Sequence, residues 1–303
     1  MSGTMNILGL VATVAMLACT GAGAAEKKEP PAATTEQAPQ QEVTVTASRI
    51  ELEKRVSKYV YQIATVENGE GISRWRKPVC PLVAGIPQQE GEFTLERISE
   101  IARTAGIPLA DEHCRANLLI FVTRNTQQFF SGMTTRTRLM TFAGAHPGVV
   151  DEFIKTPRPV RVWYKTAMFT PEGESLGDTD RTDIAERAYG IPRVSPDTSY
   201  ARISAIWGMA RVLVVVDQAR LQGVSRGQFA DYVALVSLAQ IRPGARLGDA
   251  PTILKLFDGA PQAAPDGMSE WDQAFLKSVY ATESTSKGQR GAIQHSIMRA
   301  MAH

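Results

Sequence analysis

Residues 1–25 carry no Asp, Glu, Lys, Arg or His, and the apolar run Ile7 to Ala18 within them is closed by Cys19-Thr20-Gly21-Ala22-Gly23-Ala24. A run this short falls below the ~20 apolar residues of a bilayer span and matches the hydrophobic stretch of a secretory signal peptide. The constraint on the folded part is chemical: an exported chain matures where paired cysteines become disulfides. The stretch Met1 to Asn6 lacks the Lys or Arg usual ahead of such a run. Cleavage after Ala22-Gly23-Ala24 would leave a soluble protein. Cleavage before Cys19, in the imperfect lipobox Met16-Leu17-Ala18-Cys19, would leave one tethered by lipid on Cys19. An uncleaved anchor is the third arrangement.

Residues 26–42 are mostly Glu, Lys, Pro, Ala, Thr and Gln, a composition that buries too little apolar surface to offset the entropy of ordering. They read as a disordered tether ahead of one globular domain, residues 43–303, with a possible subdivision near 170–198. Once the leader is removed, Cys80 and Cys114 are the remaining unmodified thiols, and a disulfide between them is expected. The competing two-cysteine metal site has only His113 beside it, too few ligands for tetrahedral zinc.

A hydrophobic fraction of 44%, a charged fraction of 21% and a net charge of +2 describe an ordinary globular chain without a nucleic-acid footprint. Arg136, Arg138, Arg158 and Arg161 cluster near Lys155 and Lys165. Such a group either faces anionic lipid or forms a solvated surface with carboxylate partners.

Apolar spacing predicts an amphipathic helix from Arg49 to Val66, irregular chain from Gly69 to Pro87 and a helix from Phe93 to Ala105. Leu118 to Val122 reads as a buried strand. The disulfide would then pin the Pro78 to Pro87 segment to that strand. Gln127 to Met140 and Val149 to Ile154 look helical, and Val160 to Tyr164 alternates as a strand. A long loop, Thr170 to Pro196, precedes two expected strands, Ala201 to Ile206 and Arg211 to Asp217, separated at Gly208. Helices are expected over Phe229 to Ile241, Glu270 to Tyr280 and Lys287 to Met301, with a short apolar segment at Thr252 to Phe257. The fold class is α+β, a mixed sheet packed by helices.

Gly223-Val224-Ser225-Arg226-Gly227 matches the G-x-S-x-G nucleophile elbow, and Asp249 or Asp258 followed by His295 completes the chain order of a hydrolase triad. Against this, the polar stretch Asp217 to Gln222 separates the strand from the glycine, and no glycine-rich oxyanion loop lies upstream. Ser225-Arg226-Gly227-Gln228 is also a capping box, which gives the hydroxyl a structural task. His113, His146, His295 and His303 are scattered without i, i+4 pairs. Neither a P-loop nor a dinucleotide G-x-G-x-x-G occurs.

The stretch Arg211 to Tyr280 resembles a degenerate zincin. Gly223-Val224-Ser225 leads into the helix ending at Ile241, followed by Ala250-Pro251-Thr252-Ile253-Leu254 and the helix Met268 to Tyr280. In zincin-like proteins the first helix carries H-E-x-x-H, and a later D-x-x-x-L-x-x-x-Y segment packs behind the site. Here Asp231, Tyr232 and Leu235 stand where His, Glu and His would be, and Leu cannot ligate zinc. The resemblance implies a zincin-like body without the metal motif, and Asp231 and Tyr232 are its pseudo-site residues. The whole sequence is also similar to uncharacterised exported proteins of Gram-negative bacteria.

The expected protein is therefore a periplasmic or membrane-tethered binding or assembly factor without catalysis. It would use no cofactor or metal, bind no nucleic acid, and have an envelope protein or surface as partner. The alternatives are a serine hydrolase using Ser225, Asp249 and His295, and a cryptic metal hydrolase built on Asp231.

Overall fold

The computed structural model describes residues 39–65, 72–142, 144–170, 173, 175, 206–282 and 288–301. The leader with Cys19, residues 26–38 of the tether, nearly all of 170–198, the expected strand before Ile206, and His303 lie outside them. The chain divides into Met1–Thr44 and Val45–His303, and the architecture below is that of the second unit.

The fold is α+β. β1 (Pro81–Ala84), β2 (Leu118–Thr123), β3 (Val160–Phe169) and β4 (Ile206–Asp217) form one mixed sheet in the order β1-β2-β4-β3. The first three in that order run parallel, and β3 closes the edge antiparallel to β4. Successive side chains of a strand point to opposite faces. Val212, Val214 and Val216 therefore join Leu118, Ile120 and Val122 in the larger core, while Leu213 and Val215 enter a smaller one. β4 is buried on both faces, so its sequence is a near-continuous apolar run instead of an alternation.

The larger core is filled by α1 (Pro39–Ile63), α2 (Gln88–Thr104), α6 (Arg226–Leu238), α7 (Glu270–Ala281) and α8 (Gln289–Ala300). The other face is covered by α3 (Thr126–Ser131), α4 (Thr135–Phe142) and α5 (Pro147–Lys155). Trp163 of β3 meets Phe142 and Phe153 edge-on there, at 4.9 and 5.1 Å between ring centroids. Such pairs add to area burial because ring edges and faces carry opposite partial charge.

Several sequence expectations are corrected. The expected Gln127 to Met140 helix is split into α3 and α4, since α3 closes at Gly132, whose N–H bonds the Gln128 carbonyl at 2.9 Å. Gly208 does not separate two strands: β4 runs through it. A side chain there would meet Arg76 Cγ and come within 3.0 Å of the Arg74 carbonyl oxygen, so this glycine permits close backbone approach. α6 stops at Leu238, because Ala239 and Ile241 leave it to bridge Arg74 and Ala64. α1 begins at Pro39, within the segment read as tether. Arg161 does not join a solvated basic surface. It is buried, stacks over Phe130 and donates from Nε to the Thr156 carbonyl at 3.0 Å.

The expected disulfide joins Cys80 and Cys114, with Cα atoms 6.0 Å apart. It lies where β1 and β2 begin, and Pro81 pairs with Leu118. Asn117 reinforces the junction: its side chain accepts from the Cys80 N–H at 2.8 Å and donates to the Pro78 carbonyl at 2.9 Å. The bridge closes the loop containing α2 with a sequence separation of 34. Replacing both cysteines by alanine is expected to cost about 3 to 4 kcal/mol in the chain-entropy account. Urea denaturation of the variant checks this, and an unmoved midpoint would mean that the bridge contributes no stability.

Candidate functional site

α6 is enclosed by protein on nearly every side, so its polar groups need partners from elsewhere. At its N-terminus the Ser225 hydroxyl accepts from the Gln228 N–H, and the Gln228 side-chain oxygen accepts from the Ser225 N–H, both at 3.1 Å. The Gln228 amide also donates to the Pro261 and Pro265 carbonyls at 3.0 and 3.1 Å. One turn on, the buried Asp231 carboxylate takes a bidentate pair from Arg97 of α2 at 2.6 and 3.1 Å and the Met268 N–H at 2.7 Å.

The C-terminal end of α6 lacks a glycine cap. Its carbonyls are met by aromatic donors instead: Tyr164 O–H reaches Val236 at 2.7 Å, Trp75 Nε1–H reaches Ser237 at 2.9 Å and Tyr280 O–H reaches Leu238 at 2.6 Å. A second polar hub stands behind it. Asp272 is fully buried and accepts from Tyr59 O–H, Thr252 O–H, the Ile253 N–H and both donors of Ser269 at 2.6 to 3.0 Å. Burial pushes the Asp272 carboxyl above the usual carboxylate range, and hydrogen bonds from Thr252, Ile253, Tyr59 and Ser269 pull it back.

Ser225 caps α6. Asp249 is exposed and pairs with Arg55 of α1 at 2.8 Å, and His295 is exposed on α8. No hydrogen bond links these three among the described residues. His146 caps α5, its Nδ1 accepting from the Gly148 N–H at 3.2 Å. His113 adopts a left-handed backbone, φ 66°, in the turn before Cys114. Among the described residues no group of three His, Cys, Asp or Glu side chains is placed to hold a metal ion. No helix among them is long and apolar enough to cross a membrane.

Tyr232 is different. Its ring packs edge-on to Phe257 at 4.9 Å between centroids, and its hydroxyl has no hydrogen-bond partner among the described residues. It lines a cavity of about 310 Å³ between β3, α6 and the 241–258 segment. Apolar side chains form most of the wall, including Val162, Val236, Leu254 and Phe257, and Arg158, Arg242 and Asp258 supply the charged groups. On the opposite face of the sheet, Leu119, Phe121, Phe129 and Met133 line an open groove of about 580 Å³ that includes no ionisable side chain.

Comparison with protein-family models, curated proteins and solved structures finds no match to this chain.

Arg97, Asp272 and the aromatic carbonyl donors carry roles that sequence reasoning missed. One signal was present: Ser269-Glu270-Trp271-Asp272 is a capping box in its own right, and Asp272 does return the bond to Ser269.

Two outcomes follow for this polar framework. Tyr280→Phe leaves the Leu238 carbonyl and the Trp75 N–H without their buried partner, so a loss of about 2 to 3 kcal/mol is expected in chemical denaturation. A loss near zero would mean that water replaces the phenol. Burial also raises the phenol pKa of Tyr59, Tyr164, Tyr232 and Tyr280. The native state then holds these protons where the unfolded chain releases them, so stability is intact below about pH 10 and falls as pH rises above it. Tyrosinate absorbance and circular dichroism recorded together should show these phenols ionising only as the chain unfolds. Full ionisation with native dichroism would contradict their burial.

Proposed function

We propose that the protein is an exported binding protein of the cell envelope, free in the periplasm or tethered by lipid on Cys19, that holds a small ligand without transforming it. The apolar leader and the Cys80–Cys114 bridge support export, since a disulfide suits an oxidising compartment. One observation carries the binding reading. Ser225, Asp231 and Asp249 are all engaged in caps or ion pairs, whereas Tyr232 lines a mainly apolar cavity and its hydroxyl has no hydrogen-bond partner among the described residues. A concave, mainly apolar pocket with a few convergent polar groups is the usual form of a ligand site.

The test uses mature protein from the native envelope. Its mass should lack the leader, its denatured and unreduced form should have no free thiol at Cys80 or Cys114, and it should take up no fluorophosphonate. Ser225→Ala should cost about 1 kcal/mol of stability, the effect of removing a cap. Fluorophosphonate labelling lost in Ser225→Ala would replace this reading with a serine hydrolase. Stoichiometric zinc would replace it with a metal hydrolase, and an intact N-terminus on reduced cytosolic protein would remove export.

A further inference from the structure

We infer that the cavity beside Tyr232 takes an organic monoanion with a compact apolar body, such as an aromatic or short-chain carboxylate or sulfonate. This rests on the reading that the cavity is the binding site. The lining itself carries one net positive charge, Arg158 and Arg242 against Asp258, all three exposed at its rim. Arg158 has its nearest carboxylate, Glu152, at 4.0 Å, beyond hydrogen-bond reach. Arg242 commits one N–H to the Ala64 carbonyl at 3.1 Å and rests against the Tyr61 ring, so most of its five donors remain free.

The third donor is the Tyr232 hydroxyl. The neighbouring phenol, Tyr164, is already bonded to Val236 and Ile241, which leaves Tyr232 as the one of the pair able to donate to a guest. Burial disfavours its phenolate, so at neutral pH the hydroxyl remains an O–H donor. A cation would meet two guanidinium groups. A neutral guest would leave these donors facing apolar contacts, and a polyanion would exceed the single net charge and meet Asp258. A volume of about 310 Å³ lies at the small end for ligand pockets, which suits one ring system or a short chain over a two-chain lipid.

The experiment is a fluorescence titration of the mature, disulfide-intact protein with two probes that differ in one sulfonate: 8-anilino-1-naphthalenesulfonate and neutral N-phenyl-1-naphthylamine. The sulfonate is expected to bind one saturable site, about tenfold tighter than the amine, as a charge-assisted contact would give. Arg158→Gln and Arg242→Gln should each weaken it several-fold, Asp258→Asn should tighten it, and Val162→Trp should abolish it by filling the wall, with thermal midpoints as the folding control. Opposite signs at Arg158 and Asp258 separate a charge effect from damage to the fold. If both probes bind alike and are lost in Val162→Trp, while the charge variants change nothing, the anion inference is overturned and the binding site stands. If neither probe binds, or binding ignores Val162→Trp, the cavity is not the site and both readings fall. The uncharged groove lined by Leu119 and Phe121 would then be where any bound probe sits.

Discussion

The structure depends on the burial of α6 beyond its first turn, so that its last carbonyls end inside protein. A helix end surrounded by protein cannot leave its C=O groups to water, and each orphan costs about 1 to 3 kcal/mol. This chain meets that demand with side chains drawn from distant parts of the sequence. Gln228 and Ser225 serve the N-terminus, and Tyr164, Trp75 and Tyr280 serve the last carbonyls. The strand β3, the chain ahead of β1 and the helix α7 are thereby positioned by the same helix end. Packing alone is non-directional, whereas these bonds fix how each element is oriented against α6.

The disulfide and the Asp272 hub act at other places on the same principle. The bridge fixes the starts of two parallel strands, whose pairing carries a loop-closure cost that a hairpin avoids. Asp272 ties α1 through Tyr59 to the Thr252 turn and the start of α7. A carboxylate this deeply buried is tolerable only because its oxygens are met by donors on several sides. Arg97 and Asp231 do the same between α2 and α6, with one partner half-exposed to solvent.

Legibility in the sequence followed locality. The disulfide, the α+β class, the Ser225 capping box and the burial of α6 were readable, because each depends on composition or on residues a few positions apart. The end of α6 was not. The apolar pattern runs on to Ile241, and only the bridges of Ala239 to Arg74 and Ile241 to Ala64 turn those residues out of the helix. Gly208 misled for a related reason, since a glycine that ends a strand and one that admits a neighbouring backbone look the same in a sequence. Asp231 was legible as a polar interruption of an apolar helix, but its partner Arg97 lies on another element, and no spacing rule links them. The cavity was invisible for the same reason: Arg158, Tyr232 and Asp258 come together only through the sheet edge and the turn after α6.

The division between engaged and free polar groups gives the strongest argument about what this molecule does. The Tyr232 hydroxyl has no hydrogen bond among the described residues and is not sealed from solvent, so it is open to water or to a guest. Tyr164 and Tyr232 make the contrast within one pocket. The first phenol holds α6 to the chain that leaves it, and its loss would be a loss of structure. The second packs its ring edge-on against Phe257 and makes no hydrogen bond with its hydroxyl among the described residues, so the fold itself does not use that donor. Were an acceptor to enter, a donor already held in place would lower the entropic cost of binding it, and that is the physical basis on which a small pocket can gain affinity without large buried area.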